Sequence, residues 1–256
     1  DIIANLFTAD AASTLDLDTT VNTADISVTA AGTLRIDDTG PITLIDVDTA
    51  NGSITISAAG AMIATDVQSL TDSDSNDISL TTTAGDISVV TVDAGSAGDA
   101  TLNAAGSITE DGSIATVLTA DVLTADAAGS VTLDTTVASA DISTSAAGDV
   151  DIDETDAIVL TDVDTDDGAI TVDAGGQITA TDVDSSNTDD DSNDISLTST
   201  GAGIEAQSII AGSSNDVTLD AQGGSITENG DAGVDVTADV LTADAAGSVT
   251  LDTTVA

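Results

Sequence analysis

The residues of this chain best suited to chemistry are aspartates that return at a nearly fixed interval. Asp25 in TADI, Asp46 in IDVD and Asp66 in TDVQ follow one another at steps of 21 and 20, and Asp141, Asp162 and Asp182 repeat the same two steps. Each is followed by Ile26, Val47, Val67, Ile142, Val163 or Val183. If the apolar residue faces inward on a strand, the preceding carboxylate faces outward. Strands one interval apart would stack at about 4.8 Å. Two carboxylates at that distance repel by about 0.9 kcal/mol even at the dielectric of water. Such a stack calls for cations, and Ca²⁺ is the expected one, because it is a hard ion that takes carboxylate and carbonyl oxygens. The densest place is the quartet Asp162, Asp164, Asp182 and Asp184, in which each pair brackets an inward valine. The corresponding positions nearer the N-terminus are Asp46, Asp48, Asp66 and Gln68, one carboxylate fewer. Diffuse Na⁺ screening of an acidic surface is the competing account.

Other chemistry finds little support. The run Asp189, Asp190 and Asp191 invites comparison with polysaccharide hydrolases, yet a glycosidase needs two carboxylates of separated pKa, set in a cleft beside sugar-binding groups. The chain has no His, no Trp or Tyr and a single cation, Arg35. Serine nucleophiles therefore lack a base, and no enzyme activity is expected. Ice binding is a remote alternative: Thr81/Thr83 and Thr198/Thr200 have Thr-x-Thr spacing but do not recur at successive intervals. Asn51-Gly52-Ser53 is one glycosylation sequon.

The elements that must carry these aspartates are visible as two nested repeats. FTADAASTLDLDTTV at Phe7 returns as LTADAAGSVTLDTTV at Leu123 and again at Leu241, shifts of 116 and then 118 along the chain. Residues 1–116 and 117–234 are thus two full copies, and 235–256 opens a third. Inside the second copy, apolar pairs spaced by one residue mark a shorter period at Val131/Leu133, Val150/Ile152, Ile170/Val172, Ile195/Leu197 and Val217/Leu219. The next mark is Val249/Leu251, so that successive steps along the chain are 19, 20, 25, 22 and 32. Periods of this length with alternating strands are the signature of a solenoid, one period to a coil.

Two further inward segments per coil, Ile158/Leu160 then Val163 and Ile178/Ala180 then Val183, give three faces. Gly52, Gly129, Gly148, Gly168 and Gly247 precede first strands, where a corner needs positive φ or close clearance. Pro41, the one proline, falls in a turn. The alanine-rich stretch Thr119 to Gly129 lacks the apolar stripe of a helix, and the shared apolar phase of the copies argues against disorder. The expected fold is all-β, a parallel β-solenoid of about 11 or 12 coils.

Composition narrows the partners. With 47 Asp or Glu against one Lys or Arg, a formal charge of -46, the chain cannot neutralise nucleic-acid phosphates and would be repelled by anionic lipid. No stretch is long and apolar enough to span a membrane, and no cysteine is present to report a redox compartment.

The phrases AAGSITEDGSIATVLTADVLTADAAGSVTLDT (Ala104 to Thr135) and NDISLTTTAGDISVV (Asn76 to Val90) resemble the haemagglutinin-type repeats of filamentous haemagglutinins and related large secreted adhesins. That resemblance implies a right-handed parallel β-helix exported to the cell surface or the extracellular matrix. The expected function is an acidic, cation-stabilised fibre module, with the stalk of an adhesin as the alternative. The expected partners are copies of itself, as a continuing array or end to end, together with cell-surface or matrix components.

Overall fold

The computed structural model describes residues 2–110, 112, 117–188, 191–230 and 233–256. No helix occurs among them, and the strands pair in parallel from coil to coil. The fold is a β-solenoid of about 12 turns, divided between two compact units, Asp1–Ala127 and Ala128–Ala256. Leu118–Ala127 is a strand, as the missing helical stripe predicts. The unit boundary falls beyond the end of the first sequence copy, because Leu118 pairs with Val92 and Leu123 with Ala100 inside the first unit.

Each unit has three columns of inward side chains. In the first unit the first face stacks Leu17, Ile36, Ile56, Leu80, Leu102 and Ala125. Its second face stacks Ile42, Met62, Ile87 and Ile108, and its third Ile26, Val47, Val67, Val92 and Leu118. The second unit repeats this with Leu133, Ile152, Val172, Leu197 and Leu219 on its first face. Its second face carries Ile158, Ile178, Ile204 and Ile226, and its third Ile142, Val163, Val183, Ile209 and Val236. With the exception of the half-buried Leu17 near the N-terminus, these aliphatic columns are buried. Alternation at period 2 produces them, because every second residue of each strand is mostly Ile, Leu, Val or Ala and the intervening ones are mostly Thr, Ser or Asp.

The corner glycines act through clearance. A Cβ on Gly52 would lie 2.1 Å from the carbonyl oxygen of Gly32, and one on Gly168 2.2 Å from that of Gly148. Pro41 sits just ahead of the strand Ile42–Asn51, where it interrupts no ladder.

One expectation about period needs correction. After Val217 the first face continues at Leu241, which pairs with Val217, and not at Val249. Val249 bridges Ile226 on the second face instead. The apparent long step from Val217 to Val249 is thus one whole coil, Val217 to Leu241, followed by a single face, Leu241 to Val249. A full copy is five coils plus one face. The first unit agrees: Ala9 lies over Ile26 on the third face, whereas its sequence equivalent Ala125 lies over Leu102 on the first. The Gly-marked pattern hid this because Leu241–Ala245 fills its inward positions with Leu and small alanines and has no glycine immediately before it.

Candidate functional site

A local irregularity sets the outward aspartates of the third face. The ladder slips by one residue between Ala24/Asp25 and their partners Leu44/Asp46, so Ile45 is extra and stands exposed. The same slip occurs at Ala140/Asp141, with Thr161 as the extra residue. Such a bulge bends a strand locally. Here it lets one continuous strand, Ile42–Asn51 or Ile158–Asp167, round the corner from second face to third. The aspartate after the bulge points outward while the next residue, Val47 or Val163, is buried.

The sequence-predicted stack is present in register. Asp25 pairs with Asp46, and the Val47 N–H donates to the backbone carbonyl of Asp66 at 2.9 Å. In the second unit Asp141 pairs with Asp162, Asp164 pairs with Asp184, and the Val163 N–H donates to the carbonyl of Asp182 at 3.0 Å. Asp48 faces Gln68, so the first unit has one carboxylate fewer here. Burial, then the negative charges of Asp48, Asp66 and Asp25, raise the Asp46 pKa above the ordinary carboxylate value. Among the described residues no three His, Cys, Asp or Glu side chains are gathered into a group that could hold a metal ion by themselves. The stacked carboxylates remain a ladder of neighbours.

A second ladder escaped the sequence reading. Asp134, Asp153 and Asp173 stand in register on three successive coils of the first face, with Asp151 beside them. Burial is the leading cause of raised pKa at both Asp151 and Asp153. Neighbouring charges add to it, those of Asp173, Asp134 and Asp149 at Asp151 and those of Asp134, Asp173 and Asp151 at Asp153. The signal was available, since these aspartates recur at steps of 19 and 20, but they sit beside the inward pairs that mark the coils and carry no mark of their own. In the first unit the position of Asp151 belongs to Arg35, 116 positions earlier. Arg35 donates to Asp16 at 2.9 Å and also to Asp37.

At the end of each of the equivalent strands Leu34–Asp38 and Val150–Glu154 an acid turns inward. Asp38 accepts hydrogen bonds from the Thr19 hydroxyl at 2.7 Å and from the N–H groups of Val21 and Gly40, each at 2.8 Å. Glu154 accepts from the Thr135 hydroxyl at 2.8 Å, the Val137 N–H at 3.0 Å and the Asp156 N–H at 3.1 Å. Both are buried, and at Glu154 burial outweighs these bonds and raises the pKa. Their three protein donors give them a structural role at the corner between first and second faces.

Of the triple aspartate, Asp189 and Asp190 lie outside the described residues, and Asp191 is exposed. Thr81 stacks between Ser57 and Asn103, and Thr198 between Asp173 and Asp220, so neither begins a threonine row. Asn51 of the sequon is exposed, and its side-chain oxygen accepts from Asn76 at 3.0 Å. Among the described residues no helix is long and apolar enough to cross a membrane. No family, curated protein or solved structure matches the chain.

Proposed function

We propose that this chain is a module of an extracellular structural fibre or matrix, in which stacked acidic coils serve as the building material and cations, Ca²⁺ foremost, relieve the repulsion between stacked carboxylates. The observation that carries this reading is the repetition of one parallel pairing scheme through each unit, with carboxylates stacked coil upon coil on its surface. A surface so acidic suits a hydrated, cation-filled material better than a site for one small ligand. The resemblance to haemagglutinin-type repeats supports export, and a parallel ladder of like coils is a scheme that further coils can continue. Electron microscopy and sedimentation of the purified chain, with and without Ca²⁺, test the proposal. Filaments one solenoid wide that lengthen with concentration are expected, and monomers alone at every concentration would refute self-assembly.

A further inference from the structure

One buried acid of the second unit lacks the partners that the others have. Among the described residues the buried acids are Asp38, Glu154 and Asp235. Asp38 and Glu154 each accept three hydrogen bonds, shared over both carboxylate oxygens. Asp235, 1 % exposed, accepts the Asp252 N–H at 2.7 Å on Oδ2, and its buried Oδ1 has no hydrogen-bond partner. The sequence marks the position as an exchange. VTADVLTADAAG at Val236 repeats LTADVLTADAAG at Leu118, so Asp235 stands where the first copy has Val117, itself buried. The backbone pairing is the same at both: the Ile209 N–H donates to the Asp235 carbonyl at 2.8 Å, as the Val92 N–H does to that of Val117. Asp235 therefore puts a carboxylate where an aliphatic side chain fits the fold.

We infer that Asp235 and Asp252 hold one Ca²⁺ ion between successive coils of the third face, a site distinct from the Asp162/Asp182 ladder and independent of the fibre reading. The buried charge needs a partner, because a carboxylate taken out of water is retained only when it is paired. The chain cannot supply one: its single cation, Arg35, donates to Asp16 and Asp37. The partner must come from solution. The pairing of Val236 with Thr253 sets Asp252 in register with Asp235, one coil on, and the bond from the Asp252 N–H holds the Asp235 carboxylate on that side. Two carboxylates on strands about 4.8 Å apart repel, and one divalent ion neutralises both. Oxygen donors suit Ca²⁺, and a buried oxygen leaves little room for the water shell that Mg²⁺ retains. Backbone carbonyls and water complete the shell, since among the described residues no third acid is gathered there. Asp252 is exposed, so an ion can enter from solvent. The first unit, with Val117 in place of the acid, has no such site.

The test uses the 256-residue chain, freed of metal by chelator and titrated with CaCl₂ at constant ionic strength. The Asp252 amide resonance and its hydrogen exchange report the site locally, because that N–H donates to Asp235. Ca²⁺ should shift the resonance and slow its exchange about tenfold, at concentrations about tenfold below those that the Asp162/Asp182 ladder requires. Asp235→Val, which restores the residue of the first copy, should abolish this response and melt at a higher temperature than metal-free wild type. Asp235→Asn, which keeps the shape and an acceptor for Asp252, should lose the response too. Asp252→Asn should weaken Ca²⁺ binding about tenfold by calorimetric titration, whereas Asp162→Asn combined with Asp182→Asn should leave the Asp252 response unchanged. No response of the Asp252 N–H to Ca²⁺, an equal response to NaCl or MgCl₂, or a response that persists in Asp235→Asn overturns the inference. Metal-free wild type that melts no lower than Asp235→Val would overturn it as well, since Asp235 would then need no cation. The response is expected equally in monomers and in filaments, so a failure of self-assembly would refute the fibre reading and leave this site standing.

Discussion

The strands Leu34–Asp38 and Val150–Glu154 occupy the same place in successive copies, yet one presents a guanidinium to solvent where the other presents a carboxylate. Arg35 stands between Asp16 and Asp37, whereas Asp151 stands among Asp134, Asp149, Asp153 and Asp173. The inward residues hardly change: Leu34 and Val150, Ile36 and Ile152, Asp38 and Glu154. Register is the same on both sides, each strand pairing residue for residue with the coils before and after. A reversal of charge on the outer surface therefore leaves the coil intact. The coil is specified by what it buries, and the outer surface is free to be chosen for charge.

The largest effect on stability is expected at the inward acid. Asp38→Ala and Glu154→Ala each leave a threonine hydroxyl and two N–H groups without their carboxylate acceptor beside the core. Each should cost about 3 kcal/mol, since hydrogen bonds to a charged group are worth more than neutral ones and buried donors left unpaired are costly. Chemical denaturation measures this. If either change cost less than about 0.5 kcal/mol, within the range of ordinary surface substitutions, the claim that buried groups specify the coil would fail at this corner.

Exchanging the outer residues gives the next effect. Arg35→Asp should lower the melting temperature and Asp151→Arg should raise it, because each converts one copy's surface into the other's. Both shifts should shrink as NaCl is raised, since the charges concerned lie at the surface. A shift independent of salt would mean that packing by the long arginine side chain, and not charge, distinguishes the two strands.

Much of this was legible from residue types alone, and for a reason. Strict period-2 alternation allows one face of each strand to be buried, so columns such as Ile54/Ile78 and Ile170/Ile195 could be read directly from the apolar pairs. The third-face aspartates followed because each precedes an inward valine or isoleucine. The extra third of a turn per copy was not legible, because alanine at Ala243 and Ala245 fits an inward or an outward position equally well. The bulge at Ile45 was hidden too, since a lone isoleucine next to Leu44 carries no sign of which one turns out.

Acid should narrow the difference between the two strands. The folded-state pKa values of Asp151, Asp153 and Glu154 are raised, so the folded protein takes up protons at higher pH than the unfolded chain. Stability contributed by these groups is complete below the unfolded values, about 3.9 for Asp and 4.3 for Glu. It is lost as pH rises through the higher folded values. Melting should therefore occur at a higher temperature near pH 4 than at pH 7. Asp151→Asn combined with Asp153→Asn should raise the melting temperature at pH 7 and leave it nearly unchanged near pH 3. A melting temperature that falls steadily as the solution is acidified, in wild type and variant alike, would contradict this.

The smallest effect tests the third face, where the copies differ by a single side chain. In the first unit Gln68 donates to Asp66 at 2.6 Å, so an amide already satisfies one of the oxygens a cation would use. The second unit has Asp184 at that position, in register with Asp164, and the neighbouring Asp162 and Asp182 complete four carboxylates on two coils. Asp184 accepts from the Ser186 N–H at 2.7 Å and Asp182 from the Ser208 hydroxyl at 3.1 Å, which leaves further lone pairs on each carboxylate for an ion. Because the acids stack as neighbours and do not gather around one point, Ca²⁺ would bind with much of its water retained, and weakly. At a Ca²⁺ concentration equal to its dissociation constant the gain is about 0.4 kcal/mol, a rise of about 1 °C in melting temperature for a chain of this size. Asp162→Asn with Asp182→Asn should remove most of that rise, and Asp46→Asn with Asp66→Asn should remove less. Gln68→Asp should enlarge it, by giving the first unit the quartet of the second. Calorimetry in CaCl₂ and NaCl at matched ionic strength decides the matter: equal stabilisation by Na⁺ would reduce the ladder to a screened surface and remove Ca²⁺ from its description.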